Sequence, residues 1–203
     1  MERKRHWEQI YTHKPVDEVS WFQPHPDYSL RLITAANISK TEPMIDVGGG
    51  ASRLVDALLE DGYGDVGVLD ISATALRLAS ARLAERAEQV QWFEADVMEF
   101  KPPRSYALWH DRAVFHFLVE PAERWAYRQC LERGLRAGGQ LVIATFALDG
   151  PEQCSNLPVQ RYSEESLSAE LGDGYRLLDS LTEVHITPAQ KEQHFVYCRF
   201  QKR

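Results

Sequence analysis

Short apolar runs recur along the chain, and each has the length and composition of a buried strand. Four of these runs precede residue 112: MIDV (44–47), DVGVLD (65–70), VQWFEAD (90–96) and YALWHD (106–111). A fifth and strongly apolar run lies in RAGGQLVIATFAL (136–148), after a glycine turn. The spacing predicts that each run is one strand of a sheet.

Segments with helical spacing separate these strands. SRLVDALLED (52–61) carries apolar residues three and four positions apart and is followed by Gly62, a helix-ending residue. Ser72 has the position of an N-cap for the next helix, which reaches Leu83, and another helix begins at Pro121 and ends near Leu135. Strands that alternate with helices predict an α/β fold with a parallel sheet covered on both faces.

The last forty residues break this alternation. SEESLSAEL (163–171) predicts a final helix capped by Ser163. YRLLDSLTEVHIT (175–187) and QHFVYCRFQ (193–201) then read as two strands joined only by PAQKE. A parallel crossover needs roughly a dozen residues or more, so these two strands must form an antiparallel hairpin.

The N-terminal forty residues differ from the rest of the chain. HWEQIYTHK (6–14) has a helical pattern, and the aromatic, proline-punctuated VSWFQPHPDY (19–28) follows it. We expect residues 1–40 to form a lid on a core of residues 41–203, all within a single domain (1–203).

Charge and cysteine content narrow the function. The chain has 203 residues, with 23 Lys and Arg against 30 Asp and Glu, so the formal net charge is −7. That balance argues against a nucleic-acid partner. The absence of a long apolar run argues against a membrane segment or export, and we expect a cytoplasmic protein. The three scattered cysteines (Cys130, Cys154 and Cys198) predict neither a disulfide framework nor a zinc site, and no metal is expected.

Three consecutive glycines follow the first predicted strand. Gly48, Gly49 and Gly50 stand between that strand and a helix, where backbone N–H groups and the helix N-terminus form a cradle for a nucleotide or anion. Asp70 ends the next strand, 20 residues after Gly50, where a carboxylate can accept hydrogen bonds from ribose hydroxyls. Arg53 occupies the position of the third glycine in a nicotinamide-dinucleotide fingerprint, which weakens that alternative.

These motifs resemble those of class I S-adenosylmethionine-dependent methyltransferases over roughly residues 40–200. DVGGGAS (46–52) is similar to the family's glycine motif, EADV (94–97) to its adenine-binding segment, and LRAGGQLVI (135–143) to the turn before its fifth strand. The resemblance implies a Rossmann-like three-layer sandwich whose seven-stranded, mostly parallel sheet ends in an antiparallel C-terminal hairpin. It implies S-adenosylmethionine as cofactor, S-adenosylhomocysteine as product, and the following cofactor-binding residues: Asp46, Gly48, Gly49, Gly50, Ser52, Asp70, Ile71, Asp96, Val97 and His110.

Four further segments resemble small bacterial methyltransferases that are loosely related to the thiopurine and tellurite-resistance enzymes. They are WEQIYTHKPVDEVSWFQPHP (7–26), LWHDRAVFHFL (108–118), GPEQCSNLPVQRYS (150–163) and HITPAQKEQHFVYCRF (185–200). The resemblance slightly favours a thiol or another soft nucleophile as acceptor. HDRA (110–113) differs from the Asn/Asp-Pro-Pro-Tyr motif of enzymes that methylate nucleic-acid bases, in agreement with the charge.

His110 and Asp111 are the candidate catalytic residues, because ligands of open α/β sheets lie at the carboxyl ends of strands. The alternative is that Asp111 caps the helical segment that follows it, and His116 is more simply a core histidine. Tyr11 and Trp21 of the lid are expected to cover the cofactor, where aromatic rings can contact a sulfonium, or else to pack the lid onto the sheet.

The predicted function is methyl transfer to a small molecule by in-line displacement. The acceptor is expected between the lid, residues 110–116, the loop 148–162 and the hairpin. That region includes Cys154 as a packing or contact residue, with Arg161 and Tyr162 as candidates for an anionic acceptor. Three alternatives stay open, namely a protein lysine methyltransferase of the same fold, a non-catalytic cofactor-binding module and a nicotinamide-dependent oxidoreductase. Whether the protein is a monomer or a homodimer is also left open.

Overall fold

The computed structural model describes residues 2–203 and contains nine strands. The strands are β1 Met44–Val47, β2 Val66–Asp70, β3 Val90–Glu94, β4 Tyr106–Arg112, β5 Leu135–Phe146, β6 Gln153–Cys154, β7 Leu157–Pro158, β8 Tyr175–Ile186 and β9 Glu192–Lys202. Seven of them form one sheet in the order β3-β2-β1-β4-β5-β9-β8, and β6 pairs with β7 in a small hairpin of its own. β1 to β5 are mutually parallel, whereas β9 runs antiparallel to both β5 and β8. The predicted sheet and its antiparallel C-terminal hairpin are therefore confirmed.

Six α-helices accompany the strands: α1 Glu2–His13, α2 Asp27–Ala35, α3 Leu54–Glu60, α4 Ala73–Leu83, α5 Pro121–Gly134 and α6 Glu164–Leu171. Short 3₁₀ helices lie at Val16–Glu18, Ala84–Gln89 and Phe115–Phe117. No helix within residues 2–203 combines the length and apolar character needed to cross a membrane.

The local helix signals act as their chemistry predicts. The Ser72 hydroxyl accepts a hydrogen bond from the Ala75 amide at 3.1 Å, which caps α4. Ser163 caps α6 in the same way, in a reciprocal arrangement with Ser166. Gly62 adopts φ +85° just after α3, a conformation that a glycine takes without steric cost.

The helices cover the sheet in two layers, which gives the three-layer sandwich. α2, α3 and α4 pack on one face through Leu32, Leu58 and Leu76, whereas α5 and α6 pack on the other through Leu131 and Leu167. Because side chains alternate along a strand, every second residue of β4 and β9 faces the α2 side. Charged and polar side chains on that face, near the carboxyl ends of the parallel strands, are the ones that meet in the site.

The N-terminal segment contains a helix that the pattern did not predict. Residues 27–35 form α2, with Leu32 and Ile33 fully buried against the sheet. Pro26 directly precedes the helix, so the proline-rich stretch before it ends at a helix start. The expected lid is thus made of α1 and residues 14–26, while α2 belongs to the outer layer of the core.

Candidate functional site

A cavity of about 840 Å³, partly open to solvent, runs along the sheet edge at which the parallel strands end. It extends from the residues after β3 to the start of β9, and the lid covers it. We call the part near Asp70, Ile71, Asp96 and Val97 the Asp70 end. We call the opposite part the hairpin end; it is lined by Trp21, Arg112, Phe146, Cys154, Gln193 and Phe195.

Gly48, in the glycine turn after β1, lines the cavity next to Val47. Gly48 and Gly50 have φ of +69° and +45°, in the left-handed region that favours glycine. A Cβ atom on Gly50 would lie 2.8 Å from Asp70 Oδ2 and 3.1 Å from Tyr11 Oη. A side chain there would collide with both groups, so glycine at position 50 lets Asp70 and Tyr11 pack directly against the turn, and Gly50 itself does not line the cavity.

Asp70 ends β2 beside this turn and is only 7% exposed. Its Oδ1 accepts a hydrogen bond from the Ser72 amide at 2.8 Å. Burial, helped by the charges of Asp46 and Glu8 and opposed by the hydrogen bond from Ser72, raises the pKa of Asp70 to about 7. The carboxyl group therefore titrates near neutral pH, and hydroxyl donors on a ligand would stabilise its ionised form.

Asp96 follows β3 and lies at the same end of the cavity. Its Oδ1 accepts from the Met98 amide at 3.0 Å, and its Oδ2 lies 3.4 Å from Arg3 Nη1 in the lid. Arg3 also pairs with Glu123 at the start of α5. Asp96 therefore lines the cavity, paired with a lid residue that the sequence did not indicate, and its role in binding adenine stays a prediction.

The helix α1 is fixed to the core by Glu8, whose carboxylate binds backbone amides at the start of α4. Glu8 Oε1 accepts from the Ala73 amide at 2.6 Å and from the Thr74 amide at 3.4 Å. Burial alone raises the pKa of Glu8, but the hydrogen bonds from Thr74 and Ala73 outweigh burial, so the pKa is lowered. A carboxylate that satisfies free helix N–H groups is the arrangement that the helix dipole favours.

Aromatic side chains of the lid close the cavity above the glycine turn. Trp7 packs edge-on against Trp21 and Phe117, with ring centroids 5.6 and 5.0 Å apart. Trp21 Nε1 donates to Tyr11 Oη at 3.2 Å, and burial raises the pKa of that tyrosine. The lid residues Tyr11 and Trp21 both line the cavity, where the sequence placed them.

The second half of the lid is bound to the hairpin end by polar contacts. Arg112 Nη1 donates to the Trp21 carbonyl at 3.2 Å, and Gln23 Nε2 donates to Glu183 Oε1 at 2.8 Å. His185 Nε2 lies 2.8 Å from the Ser20 carbonyl. These bonds fasten residues 20–23 of the lid to the hairpin end.

His110 lies at the margin of the site, in an adjoining cavity of about 560 Å³. Its Nδ1 is 2.7 Å from Asp46 Oδ1 and its Nε2 is 2.9 Å from Ser29 Oγ, so both ring nitrogens are hydrogen bonded. Asp46 Oδ2 is buried without a hydrogen-bond partner. Gly49 and Ser52 line the same adjoining cavity, and Ser52 Oγ accepts from the Leu54 amide.

Asp111 faces the other side of the sheet and is fully buried. Its Oδ1 accepts from the Val114 amide at 3.0 Å and from the Phe115 amide at 3.4 Å, which caps the 3₁₀ helix. Its Oδ2 accepts from Tyr127 Oη at 2.8 Å. Burial raises the pKa of Asp111 to about 6, although these hydrogen bonds oppose the shift. The residue does not line either of the two cavities described, so its catalytic role stays a prediction without a contact to a ligand site.

Other candidate side chains divide between the site and the core. Cys154 lines the hairpin end as a buried thiol whose pKa burial raises to about 11. Tyr162 packs against Phe115 in the core on the α5 side, and Arg161 donates to the Gly150 carbonyl. His116 is buried, as a core histidine, with its Nδ1 accepting from the Phe146 amide at 3.2 Å. Among residues 2–203, no three His, Cys, Asp or Glu side chains gather into a group that could hold a metal.

Several site residues carry no signal in the linear sequence. Arg112 follows the predicted strand end, but its partners Tyr197 and Glu183 lie more than 70 residues away. Arg3 and Gln193 line the cavity because α1 and β9 reach the same edge of the sheet. Only the register of the hairpin could have indicated Gln193, since it shares a face with Phe195.

Comparisons with known proteins agree with this geometry. A protein family described as "Methyltransferase domain" matches residues 44–139. An S-adenosylmethionine-dependent methyltransferase from Anabaena variabilis has a similar structure, with 14% sequence identity and a TM-score of 0.73. The match covers 100% of this chain and 96% of that chain. No curated protein sequence matches the chain.

Two further solved structures share the fold. A 1,6-didemethyltoxoflavin N1-methyltransferase from Burkholderia thailandensis, with 1,6-didemethyltoxoflavin and S-adenosylhomocysteine bound, is 19% identical; the TM-score is 0.71, with 99% of this chain and 84% of that chain covered. A structure from work on the conversion of a disulfide bond into a thioacetal group during echinomycin biosynthesis is 18% identical; the TM-score is 0.79, with 98% and 93% covered. At these identities the likeness is one of fold.

Proposed function

We propose that this chain is a class I S-adenosylmethionine-dependent methyltransferase, as the match of residues 44–139 to a methyltransferase family supports, and that it methylates a small molecule bound at the hairpin end of the cavity. The observation that carries the proposal is that one cavity joins the Asp70 end to the hairpin end beneath the lid. A donor and an acceptor bound in that cavity would be neighbours, and alignment at short distance is the main requirement of a displacement.

The Asp70 end fits the cofactor. The Asp70 carboxylate would accept from the ribose hydroxyls, and Asp96 from the adenine amino group, next to the side chains of Ile71 and Val97. The unpartnered Asp46 Oδ2, which lies in the adjoining cavity on the other side of Gly48, suits the ammonium group of the methionine part, because a buried carboxylate oxygen without a donor is costly. When bound, the cofactor supplies a methyl group on a positively charged sulfur.

In this proposal the lid excludes water from the cavity and offers aromatic rings that attract a cation. Trp7, Tyr11 and Trp21 present aromatic rings to the middle of the cavity. The faces of such rings attract a cation by roughly 0.5–2 kcal/mol, more strongly when water is absent. Removal of water also strengthens the electrostatic interactions at the reacting atoms.

His110 and Asp111 act in this proposal as positioning residues. Both ring nitrogens of His110 are already hydrogen bonded, and both oxygens of Asp111 accept from the protein. His110 holds Asp46 below the glycine turn, whereas Asp111 sets the turn that leads to Val114 on the cavity wall. Neither side chain has a free lone pair directed by the structure to an acceptor.

A small molecule fits the roofed cavity better than a protein side chain. The bonds from Arg112, Glu183 and His185 to the lid cover the hairpin end. A neighbour of the same fold binds 1,6-didemethyltoxoflavin together with S-adenosylhomocysteine, which supports a small-molecule acceptor here. A lysine side chain on a folded protein would require the lid to open and stay open during transfer.

Calorimetric titration with S-adenosylmethionine, S-adenosylhomocysteine and NADH tests the cofactor assignment. We expect micromolar binding of the first two, lost in Asp70→Ala and retained in the control Asp61→Ala, an exposed acid at the end of α3. Preferential binding of NADH would favour the oxidoreductase alternative.

Detection of S-adenosylhomocysteine release in an acceptor screen tests the reaction itself. Small aromatic and thiol compounds are compared with lysine-containing peptides. Turnover only with the peptides would overturn the small-molecule acceptor. Cofactor binding without turnover on any acceptor would support the non-catalytic module.

A further inference from the structure

Two buried polar atoms at the hairpin end lack a hydrogen-bond partner within the protein. They are Arg112 Nη2 and Gln193 Oε1, and both side chains line the cavity. An unsatisfied buried donor or acceptor costs roughly 1–3 kcal/mol, and a ligand that pairs with it recovers that free energy. A donor and an acceptor left free in the same chamber indicate a ligand that pairs with both.

The sheet register places these groups on an aromatic wall. Gln193, Phe195 and Tyr197 occupy alternate positions of β9 and therefore share one face. Phe195 pairs in register with Phe146 of β5, and their ring centroids are 4.8 Å apart. The Arg112 guanidinium carbon lies 4.4 Å from the Phe195 ring centroid. The chamber thus offers flat apolar surfaces with one cation and one amide at their edge.

Arg112 is the charged side chain that lines this chamber, and the carboxylate of Glu183 lies next to it. Arg112 Nη2 is 3.6 Å from Glu183 Oε2, beyond hydrogen-bond distance, while the Glu183 oxygens accept from Gln23 and Tyr197. Arg112 Nε donates to Tyr197 Oη at 2.7 Å. The pair is electrically neutral overall, yet one guanidinium N–H group stays available.

The other titratable groups around Arg112 are uncharged at neutral pH. Burial raises the pKa of Cys154 to about 11 and also raises the pKa of Tyr197. Burial lowers the pKa of His116 to about 3 and that of His185 below its usual value, with Arg112 adding to both shifts. Among the described residues that line the hairpin end, none is a base able to remove a proton from an acceptor.

We propose that the hairpin end selects a small, flat aromatic acceptor that is already deprotonated in solution, with its anionic atom on Arg112 and an N–H or O–H group on Gln193. The proposal rests on the proposed function. With a sulfonium in the cavity the local charge is +1, from the sulfonium, Arg112 and Glu183, which a monoanion neutralises. In the transfer, the S–CH₃ bond breaks as the anion's lone pair forms the new bond to carbon. A neutral product and a neutral thioether result, and no proton has to be removed.

The binding test uses two probes of the same shape. 4-Nitrophenolate and the neutral 4-nitroaniline are titrated at pH 8.5 into the protein saturated with sinefungin, whose ammonium replaces the sulfonium, or with S-adenosylhomocysteine, whose sulfur is neutral. We expect nitrophenolate to bind at least tenfold more tightly than nitroaniline in the sinefungin complex. We also expect nitrophenolate to bind the S-adenosylhomocysteine complex more weakly than it binds the sinefungin complex. Nitroaniline should bind equally in both complexes.

Two substitutions should move the anion preference in opposite directions. Arg112→Gln removes the cation and should abolish the preference, whereas Glu183→Gln removes the opposing charge and should increase it several-fold. Glu192→Gln, at an exposed acid of the same hairpin, is the control and should change nothing. Because the signs are opposite, a general loss of structure in one variant cannot imitate the pattern.

The role of Gln193 is tested with a probe that carries an additional hydrogen-bond donor. 2-Amino-4-nitrophenolate should bind more tightly than 4-nitrophenolate to the wild type, and this gain should disappear in Gln193→Leu but persist in Gln201→Leu at the far end of β9. Equal binding of nitrophenolate and nitroaniline to a protein that does bind sinefungin would overturn the anion proposal alone. Failure to bind sinefungin and S-adenosylhomocysteine would instead overturn the proposed function.

Discussion

The neutral-range titration of Asp70 makes cofactor affinity depend on pH. The carboxyl group is 7% exposed, and burial, with Asp46 and Glu8 nearby, raises its pKa to about 7 in the ligand-free protein. The ionised form accepts hydrogen bonds from ribose hydroxyls more strongly than the neutral acid does. Bound hydroxyl donors favour the charged form, so the pKa of Asp70 falls when the cofactor binds.

The size of the effect follows from this difference in pKa. Affinity is near its maximum at pH 8 and weakens by about tenfold at pH 6, since each pH unit below the free pKa corresponds to about 1.4 kcal/mol. The loss continues at lower pH until the bound carboxylate is itself protonated. Binding must release a proton in the same range, approaching one per site near pH 6.

Calorimetry with S-adenosylhomocysteine at pH 8.5, 7 and 6, in buffers of different ionisation enthalpy, measures both quantities. Asp70→Asn keeps the shape of the side chain but cannot ionise, so it should bind weakly at every pH and release no proton from this position. Subtraction of its data removes any titration of the ligand itself. A wild-type affinity that is flat from pH 8.5 to 6, without proton release, would refute the reasoning.

Further predictions concern the glycine turn, the lid and the histidine. Gly50→Ala should weaken S-adenosylhomocysteine binding by at least about tenfold, or about 1.4 kcal/mol, because its Cβ would meet Asp70; Gly62→Ala shares the positive φ in open space and should lower only the melting temperature. Glu8→Gln should cost about 0.3–1 kcal/mol of stability at the start of α4 and speed ligand release in stopped flow, and an unchanged release rate would contradict the lid contact. His110→Asn should lower the free energy of unfolding by about 1–3 kcal/mol without changing the shape of the pH–rate profile, whereas loss of the acidic limb would assign the histidine as a base.

The secondary structure of the core could be predicted because its signals are local. The apolar runs of β1 to β4, the caps Ser72 and Ser163, and the short link before β9 each act within a few residues of chain. α2 escaped prediction because two prolines precede it and its burial depends on packing against β4 and β5. A helix that is stabilised mainly by tertiary contact has a weak signal in its own sequence.

The same distinction applies to the site. The sequence by itself determined the glycine turn and the acids at the ends of β2 and β3, because strand ends in a parallel sheet fall on one edge whatever else the chain does. The tertiary structure alone decided that α1 closes this edge through Glu8, that both nitrogens of His110 are engaged, and that Arg112 meets Gln193 on an aromatic wall. These contacts join residues 60 or more positions apart, and their chemistry depends on burial and register, which exist only once the chain is folded.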